Sequence, residues 1–208
     1  SNLAKIYNNG NAELFKQNLT DTQVMVSEEV AKLKAMVSHF SKFGKLPEPQ
    51  LQVTNILHYC QHFIRQHQDA WPSVTFTLTD SLKDKHNIEN DICVNMDKLL
   101  FNQCLINIIN NAVQANSQLQ QLDIKLTLTL AENNISLMIF NQGKTIGSEQ
   151  CKKIFNLHYS SNNHHENMGL GLAIVRKIVL DHGGEISCLP QKSGAAFQIN
   201  LPTILPNK

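Results

Sequence analysis

The segment from Asp97 to Asn116 constrains this chain more than any other. Leu100, Cys104, Leu105, Ile108, Ile109 and Ala112 recur at helical spacing and make a broad apolar face. A helix with so wide a face needs another layer to lie on, and the neighbouring sequence supplies strands. Val74-Thr75-Phe76-Thr77-Leu78 alternates, Ile92-Cys93-Val94-Asn95 is a second short strand, and Ile124–Leu130 and Ile135–Phe140 flank the turn Glu132-Asn133-Asn134. A helix is predicted from Leu170 to His182, stopped by Gly183-Gly184, followed by strands near Glu185–Leu189 and Ala195–Leu201. Leu51 to about Gln66 reads as helix throughout, and Asn141 to Met168 as a long polar loop. This order lacks the strict alternation of a parallel α/β fold. It predicts an α+β domain, with helices on one face of a mainly antiparallel or mixed sheet.

The N-terminal part is different in kind. From Thr22 to about Phe43, Val26, Val30, Leu33, Val37 and Phe40 are spaced 4, 3, 4 and 3, a heptad seam. Ahead of it lies the turn-forming run Asn8-Asn9-Gly10-Asn11, which would make the region from Leu3 part of a helical hairpin. So narrow a seam is met either by a partner helix, through self-association, or by packing on the chain's own domain. Leu46-Pro47-Glu48-Pro49 then interrupts the helix and is the expected domain boundary, giving domains 1–46 and 47–208.

Composition narrows the function. The 208 residues carry 18 basic and 17 acidic side chains, a net charge of +1. Phosphate neutralisation along a nucleic acid calls for a basic excess, so no nucleic-acid partner is expected. No apolar run reaches the roughly 18–20 residues of a membrane helix, so this part of the protein is expected to make no membrane contact. A cytoplasmic location is expected, either for a free protein or for the cytoplasmic part of a membrane-bound one. Five separated cysteines, Cys60, Cys93, Cys104, Cys151 and Cys188, form no CxxC pair. They read as reduced, mostly buried thiols rather than a zinc site or a disulfide framework.

Three short stretches carry chemistry. Asn107 and Asn111 are four apart on the long central helix and project from one face. Their carboxamide oxygens are hard neutral ligands suited to Mg²⁺ on phosphates, or else hydrogen-bond donors and acceptors for nearby backbone. Asn141-Gln142-Gly143 directly follows a strand. Glycine there lets a flat ring approach the backbone, and the Asn141 amide oxygen can accept from an exocyclic amine. Gly169-Leu170-Gly171-Leu172 enters a helix, whose free N–H groups and positive dipole end favour a phosphate. The long loop before it, His158 to Met168, has the length of a lid. There is no GxxxxGK[ST], which excludes a P-loop, and the glycines follow a loop rather than a strand, unlike a dinucleotide fold.

Taken in order, Asp97…Gln103…Asn107…Asn111-Ala112, Asn141-Gln142-Gly143-x-x-Ile146, Ile154-Phe155 and Gly169-Leu170-Gly171-Leu172-Ala173-Ile174-Val175 resemble the ATP-binding domain of two-component sensor histidine kinases. His182-Gly183-Gly184 and Gly194-x-x-Phe197 add to it. Phe40-Ser41-Lys42-Phe43-Gly44-Lys45-Leu46-Pro47 resembles the end of the second dimerisation helix of nitrogen-regulation-type sensor kinases. The resemblance implies a two-layer α/β sandwich of the Bergerat type, its mixed sheet covered on one face by helices, behind a partial dimerisation hairpin. It implies ATP and Mg²⁺ as cofactors, a response regulator receiver domain as partner, and a homodimer through the N-terminal helices. By position, Asn111 would be the Mg²⁺ ligand, Asn107 would act catalytically on metal and phosphates, Asn141 and Gly143 would face adenine, and Gly169, Leu170, Gly171 and Leu172 would hold the phosphates.

The chain also departs from the family pattern. Asn141 stands where the family has aspartate, Thr145 and Asn167 where glycine is common, and Asn162 where lysine is common. None of the nine histidines is followed by Glu or Asp and then proline, the context of the phosphoacceptor. His39 reads as structural or solvated, and His158, His164 and His165 as polar loop residues. The resemblance therefore implies a protein histidine kinase whose acceptor histidine lies outside this stretch, so that this fragment does not phosphorylate itself. The alternative is a degenerate, non-catalytic dimerising module of the same fold.

Overall fold

The computed structural model describes residues 12–44, 46–81, 92–131, 134–157, 159 and 169–204. The chain divides into two compact units, Ser1–Leu46 and Pro47–Lys208. In the first, helix α1 runs over Ala12–Gly44. It begins ten residues earlier than the heptad seam alone suggests. Val26 and Val30 of that seam are exposed. The turn Asn8–Asn11 lies outside the described residues.

In the second unit the elements are β1 (Gln52–Asn55), α2 (Ile56–His67), β2 (Val74–Asp80), β3 (Cys93–Met96), α3 (Lys98–Ala115), β4 (Leu122–Ala131), β5 (Asn134–Asn141), α4 (Ser148–Cys151), α5 (Gly171–Asp181), β6 (Glu185–Leu189) and β7 (Ala195–Ile204). The expected helix from Leu51 is therefore a strand followed by a helix. Val53 and Thr54 are β-branched and pair with Asn95 and Val94 of β3. Asn55 then starts α2, its side chain accepting the His58 N–H at 2.9 Å. The polar stretch after Asn141 also holds a short helix, α4, which its four residues were too few to announce.

The strands form a seven-stranded sheet in the order β1-β3-β7-β5-β4-β2, with β6 also paired to β7. Among the described residues β2 with β4 is the one parallel pair and the other pairs are antiparallel, so the sheet is mixed. Leu126, Ile139 and Phe197 lie abreast across β4, β5 and β7, and Leu128, Leu137, Ile199 and Ile186 form the next row. All are buried, whereas on the opposite face of β4 Asp123, Lys125 and Thr129 are exposed and Thr127 is half-buried. One sheet face is thus apolar and one open to water, the signature of two layers. Phe101, Cys104, Leu105, Ile108 and Ile109 of α3, with Val175, Ile178 and Val179 of α5, complete the core. Full burial of one such aliphatic side chain contributes about 1.5–3 kcal/mol.

Hydrogen bonds orient α3 about its axis. The Tyr59 hydroxyl donates to Asn102 Oδ1 at 2.6 Å and the Trp71 indole to Asn110 Oδ1 at 3.0 Å. Asp97 caps the helix, its Oδ1 accepting from Leu99 and Leu100 N–H at 3.0 and 3.1 Å. Its Oδ2 accepts the Gln50 N–H at 2.8 Å, and its own N–H donates to Nε2 of His182 at 3.0 Å. His182, at the end of α5, is buried with Nδ1 2.7 Å from the Ile178 carbonyl. One cluster therefore fixes the start of α3, the end of α5 and the strand entry at Gln50.

The cysteines correct the sequence expectation. Cys151 of α4 and Cys188 of β6 form a disulfide, their Cα atoms 5.1 Å apart across 37 residues. Only the tertiary fold brings α4 against β6, so spacing along the chain gave no sign of the pair. Cys60 and Cys104 are buried thiols outside this pair. Burial pushes the Cys60 thiol up to about 12 and Cys104 higher still.

Candidate functional site

The two elements that the sequence separates by some sixty residues meet. α3 and α5 pack side by side. A β-carbon on Gly171 would stand 3.7 Å from Asn111 Nδ2 and 3.9 Å from Asn107 Oδ1. The first turn of α5 thus opens directly onto the paired amides. Leu170 is buried, at 2% exposure, and anchors the turn. It is the N-cap residue, and no side chain caps the helix. Gly169 reaches that position with φ at +66°, a left-handed conformation. The N–H groups of Gly171 and Leu172 belong to the first turn, where no intrahelical acceptor exists.

The amides themselves are asymmetric in their partners. Asn107 Nδ2 is buried and has no hydrogen-bond acceptor among the described residues. A buried donor without a partner costs about 1–3 kcal/mol, which an acceptor brought to the site would relieve. Between the same helical turns, Asn102 and Asn110 are already engaged by Tyr59 and Trp71. The four asparagines look alike in the sequence; the fold assigns two to structure and leaves two facing Gly171. An oxygen-rich anion with a hard cation fits this donor set: amide oxygens for the cation, a bare amide N–H and helix N–H groups for the anion. Among the described residues no cluster of three His, Cys, Asp or Glu forms a competing metal site.

The other end of the site is built by β5. Ile135, Leu137, Ile139 and Asn141 alternate onto the helix-covered face, and Asn141 is 4% exposed. Its neighbours in the sheet are Ile124 and Ala195, the latter contributing only a methyl group. Asn141 Nδ2 donates to the Gln142 carbonyl at 3.2 Å. Gly143 follows with φ at +121°, and any β-carbon there would collide with the Asn116 side chain. Asn116 Oδ1 accepts the Lys144 N–H at 2.8 Å, and the Gly194 N–H donates to the Gly143 carbonyl at 2.9 Å. Asn116 and Gly194 are the contributors that residue-type reasoning did not single out as site residues. Asn116 looked like the end of a helix, and only the Gly194-x-x-Phe197 pattern pointed to the other.

Residues 96–204 match the family model described as histidine kinase-, DNA gyrase B-, and HSP90-like ATPase. The chain belongs to this family. Within it, the chain stands with the sensor histidine kinases. It is 26% identical over 173 residues to a putative sensor histidine kinase NtrY-like of Rickettsia prowazekii, covering 83% of this chain and 27% of that one. It is 29% identical over 191 residues to the sensor histidine kinase ZraS of Escherichia coli K12, covering 89% of this chain and 38% of the relative. This chain thus spans between a quarter and two fifths of the length of these relatives. The catalytic domain of histidine kinase ThkA shares the fold, with a TM-score of 0.61 at 24% identity over 74% of this chain and 95% of that one. ThkA in complex with the response regulator TrrA gives 0.64 at 21% identity, over 86% of this chain and 50% of that one. The α+β two-layer fold and the histidine-kinase type of ATP-binding domain both agree with the sequence expectation. His158, Asn162, His164, His165 and Asn167, in the stretch expected to serve as a lid, lie outside the described residues. No helix among the described residues is long and apolar enough to cross a membrane.

Proposed function

We propose that this chain is the catalytic part of a sensor kinase. It would transfer the γ-phosphoryl group of ATP to a histidine outside this stretch, for onward passage to a receiver aspartate. The observation that carries the reading is the convergence of Asn107 and Asn111 with the turn at Gly171. In this reading the triphosphate lies along the start of α5, where the N–H groups of Gly171 and Leu172 and the dipole end hold it. Gly169 and Leu170 shape the turn. The Asn107 amide donates to a phosphate oxygen, which removes its orphaned state. Asn111 and Asn107 present their amide oxygens to Mg²⁺, which when bound neutralises phosphate charge. Asn141 Oδ1 accepts from the adenine amine, and the bare backbone of Gly143 leaves room for the ring.

Phosphoryl transfer asks the protein chiefly to align donor and acceptor and to compensate charge. Nothing in the assigned residues acts as a general base. That suits a histidine nucleophile better than water. The reading extends to a homodimer through α1, whose exposed Val26 and Val30 need an apolar partner. It extends also to a response regulator, as in the complex of ThkA with TrrA.

Calorimetry with a non-hydrolysable ATP analogue, with and without Mg²⁺, tests the reading. Binding at micromolar to sub-millimolar strength, strengthened by Mg²⁺, is expected. No heat at millimolar analogue would instead leave a non-catalytic module of the same fold.

A further inference from the structure

Asn116 stands at the point where α3 ends and the Asn141–Lys144 loop begins to pass over it. Its side chain is buried, and both of its polar ends are used. Nδ2 donates to the Ala112 carbonyl at 2.8 Å, which closes the helix on itself. Oδ1 accepts the Lys144 N–H at 2.8 Å, which ties the loop to that same helix end. Donor and acceptor are not interchangeable: one faces a carbonyl and the other an N–H, so a single amide orientation satisfies both. Gly143 makes the approach possible, since a side chain there would meet Asn116 head on.

The consequence concerns distance. Asn111 and Asn116 are five residues apart on one helix, about 7.5 Å along its axis. α3 is rigid at that length, its flank pinned by Trp71 on Asn110. A loop fastened to Asn116 is therefore held at a set spacing from Asn111 and from the α5 turn that faces it. The remaining ties of the loop run to other strands: Gly194 N–H to the Gly143 carbonyl at 2.9 Å, and Gln142 N–H to the Asp123 carbonyl at 3.4 Å. The Lys144 N–H on Asn116 Oδ1 is the tie that runs from the loop to the helix bearing the paired amides.

We infer that Asn116 is a positioning residue for the nucleotide: it sets the base-side loop in register with the phosphate side of the pocket. The inference rests on the nucleotide reading of the site. Asn116 touches no substrate in this account. It acts through Lys144 and Gly143, and its loss unhooks the loop while leaving Asn107, Asn111 and the α5 turn in place.

The test compares two probes that share phosphates but not a base: Mg-AMPPNP and Mg-tripolyphosphate, each titrated calorimetrically into wild type, Asn116→Ala and Asn116→Asp. Wild type is expected to bind the nucleotide more tightly than tripolyphosphate. Asn116→Ala is expected to lose about tenfold in nucleotide affinity, the scale of one unmade buried hydrogen bond, with tripolyphosphate affinity kept within about twofold. Asn116→Asp supplies a second handle. Its carboxylate can accept from Lys144 but faces the Ala112 carbonyl without a proton to give. Once protonated it matches the amide, so its nucleotide affinity relative to Asn116→Ala should recover as the pH is lowered. A purely structural role would weaken both probes alike, and any recovery at low pH would then be shared by both; that result overturns the inference. So does unchanged nucleotide affinity in both variants. Wild type binding neither probe would instead overturn the nucleotide reading itself. If Asn116→Ala fails to fold, the same comparison in Asn116→Asp decides alone: a loss that falls on Mg-AMPPNP and spares Mg-tripolyphosphate supports the inference, and an equal loss on both overturns it.

Discussion

Gly171 sits where a β-carbon would rest 3.7 Å from the Asn111 amide nitrogen. That separation is ordinary contact, so alanine fits there without displacing the protein. The methyl would nevertheless lie over the face that the first α5 amides share with Asn107 and Asn111. Gly171→Ala is predicted to leave the melting temperature unchanged or slightly raised, because alanine is the better helix former. Mg-AMPPNP affinity is predicted to fall at least tenfold. Retained affinity, measured calorimetrically, would move the phosphate away from this turn.

Neighbouring asparagines should separate into two classes. Asn111→Ala is predicted to lower Mg-nucleotide affinity tenfold or more and to abolish the advantage given by Mg²⁺, with little change in thermal stability. Asn110→Ala is predicted to do the reverse. It strips the Trp71 indole of its acceptor, costs about 1 kcal/mol of stability, and leaves binding nearly intact. Paired melting curves and titrations check both. Equal binding losses for the two variants would refute the division.

Asp97 predicts an acid-sensitive step. Burial pushes its carboxyl up, but the N–H groups of Gln50, Leu100 and Leu99, with His182 nearby, outweigh it and hold the group below its ordinary 3.8. A carboxyl with a lowered folded pKa contributes fully above its unfolded value. That contribution is lost as the pH falls through the folded value. Urea melts from pH 7 to pH 3 should therefore show the wild type losing stability more steeply below about pH 4 than Asp97→Asn. At neutral pH, Asp97→Ala is predicted to cost about 0.5–2 kcal/mol through loss of the cap. Parallel wild-type and Asp97→Asn curves would count against this.

The cysteines give a labelling pattern. In the folded, unreduced protein at neutral pH, a maleimide is predicted to spare Cys60 and Cys104, which burial keeps protonated, and Cys151 and Cys188, which are joined. Mass spectrometry of tryptic peptides reads this directly. Closing 37 residues should stabilise the folded state by about 4 kcal/mol on chain-entropy grounds, so reductant is predicted to lower the melting temperature. A melting temperature indifferent to reductant, with all five thiols titrating, would refute the pairing.

Much of the fold could be read from residue patterns because it depends on periodicity. The apolar stripe of α3 and the alternation along β4 and β5 each state which face is buried, and two layers follow. Short elements escaped for the same reason. Gln52–Asn55 has too few residues to show a period, and its strand identity comes from pairing with β3. Of the site, the glycine turn and the asparagine pair were legible as residue types with an evident use. What separates Asn107 from Asn102, or Asn116 from any other helix end, is the neighbour across the fold.

The amino-acid sequence alone determined the class of fold, the paired amides on one helical face, and a helix beginning with glycines, because each depends on residues within a few turns of one another. The tertiary structure alone decided that these features meet. It aimed Gly171 at Asn111, hung the Gly143–Lys144 loop from Asn116, linked His182 to Asp97 and joined Cys151 to Cys188. All four are contacts between segments far apart in the chain. Their partners are selected by how the helices settle on the sheet, which local patterning does not encode.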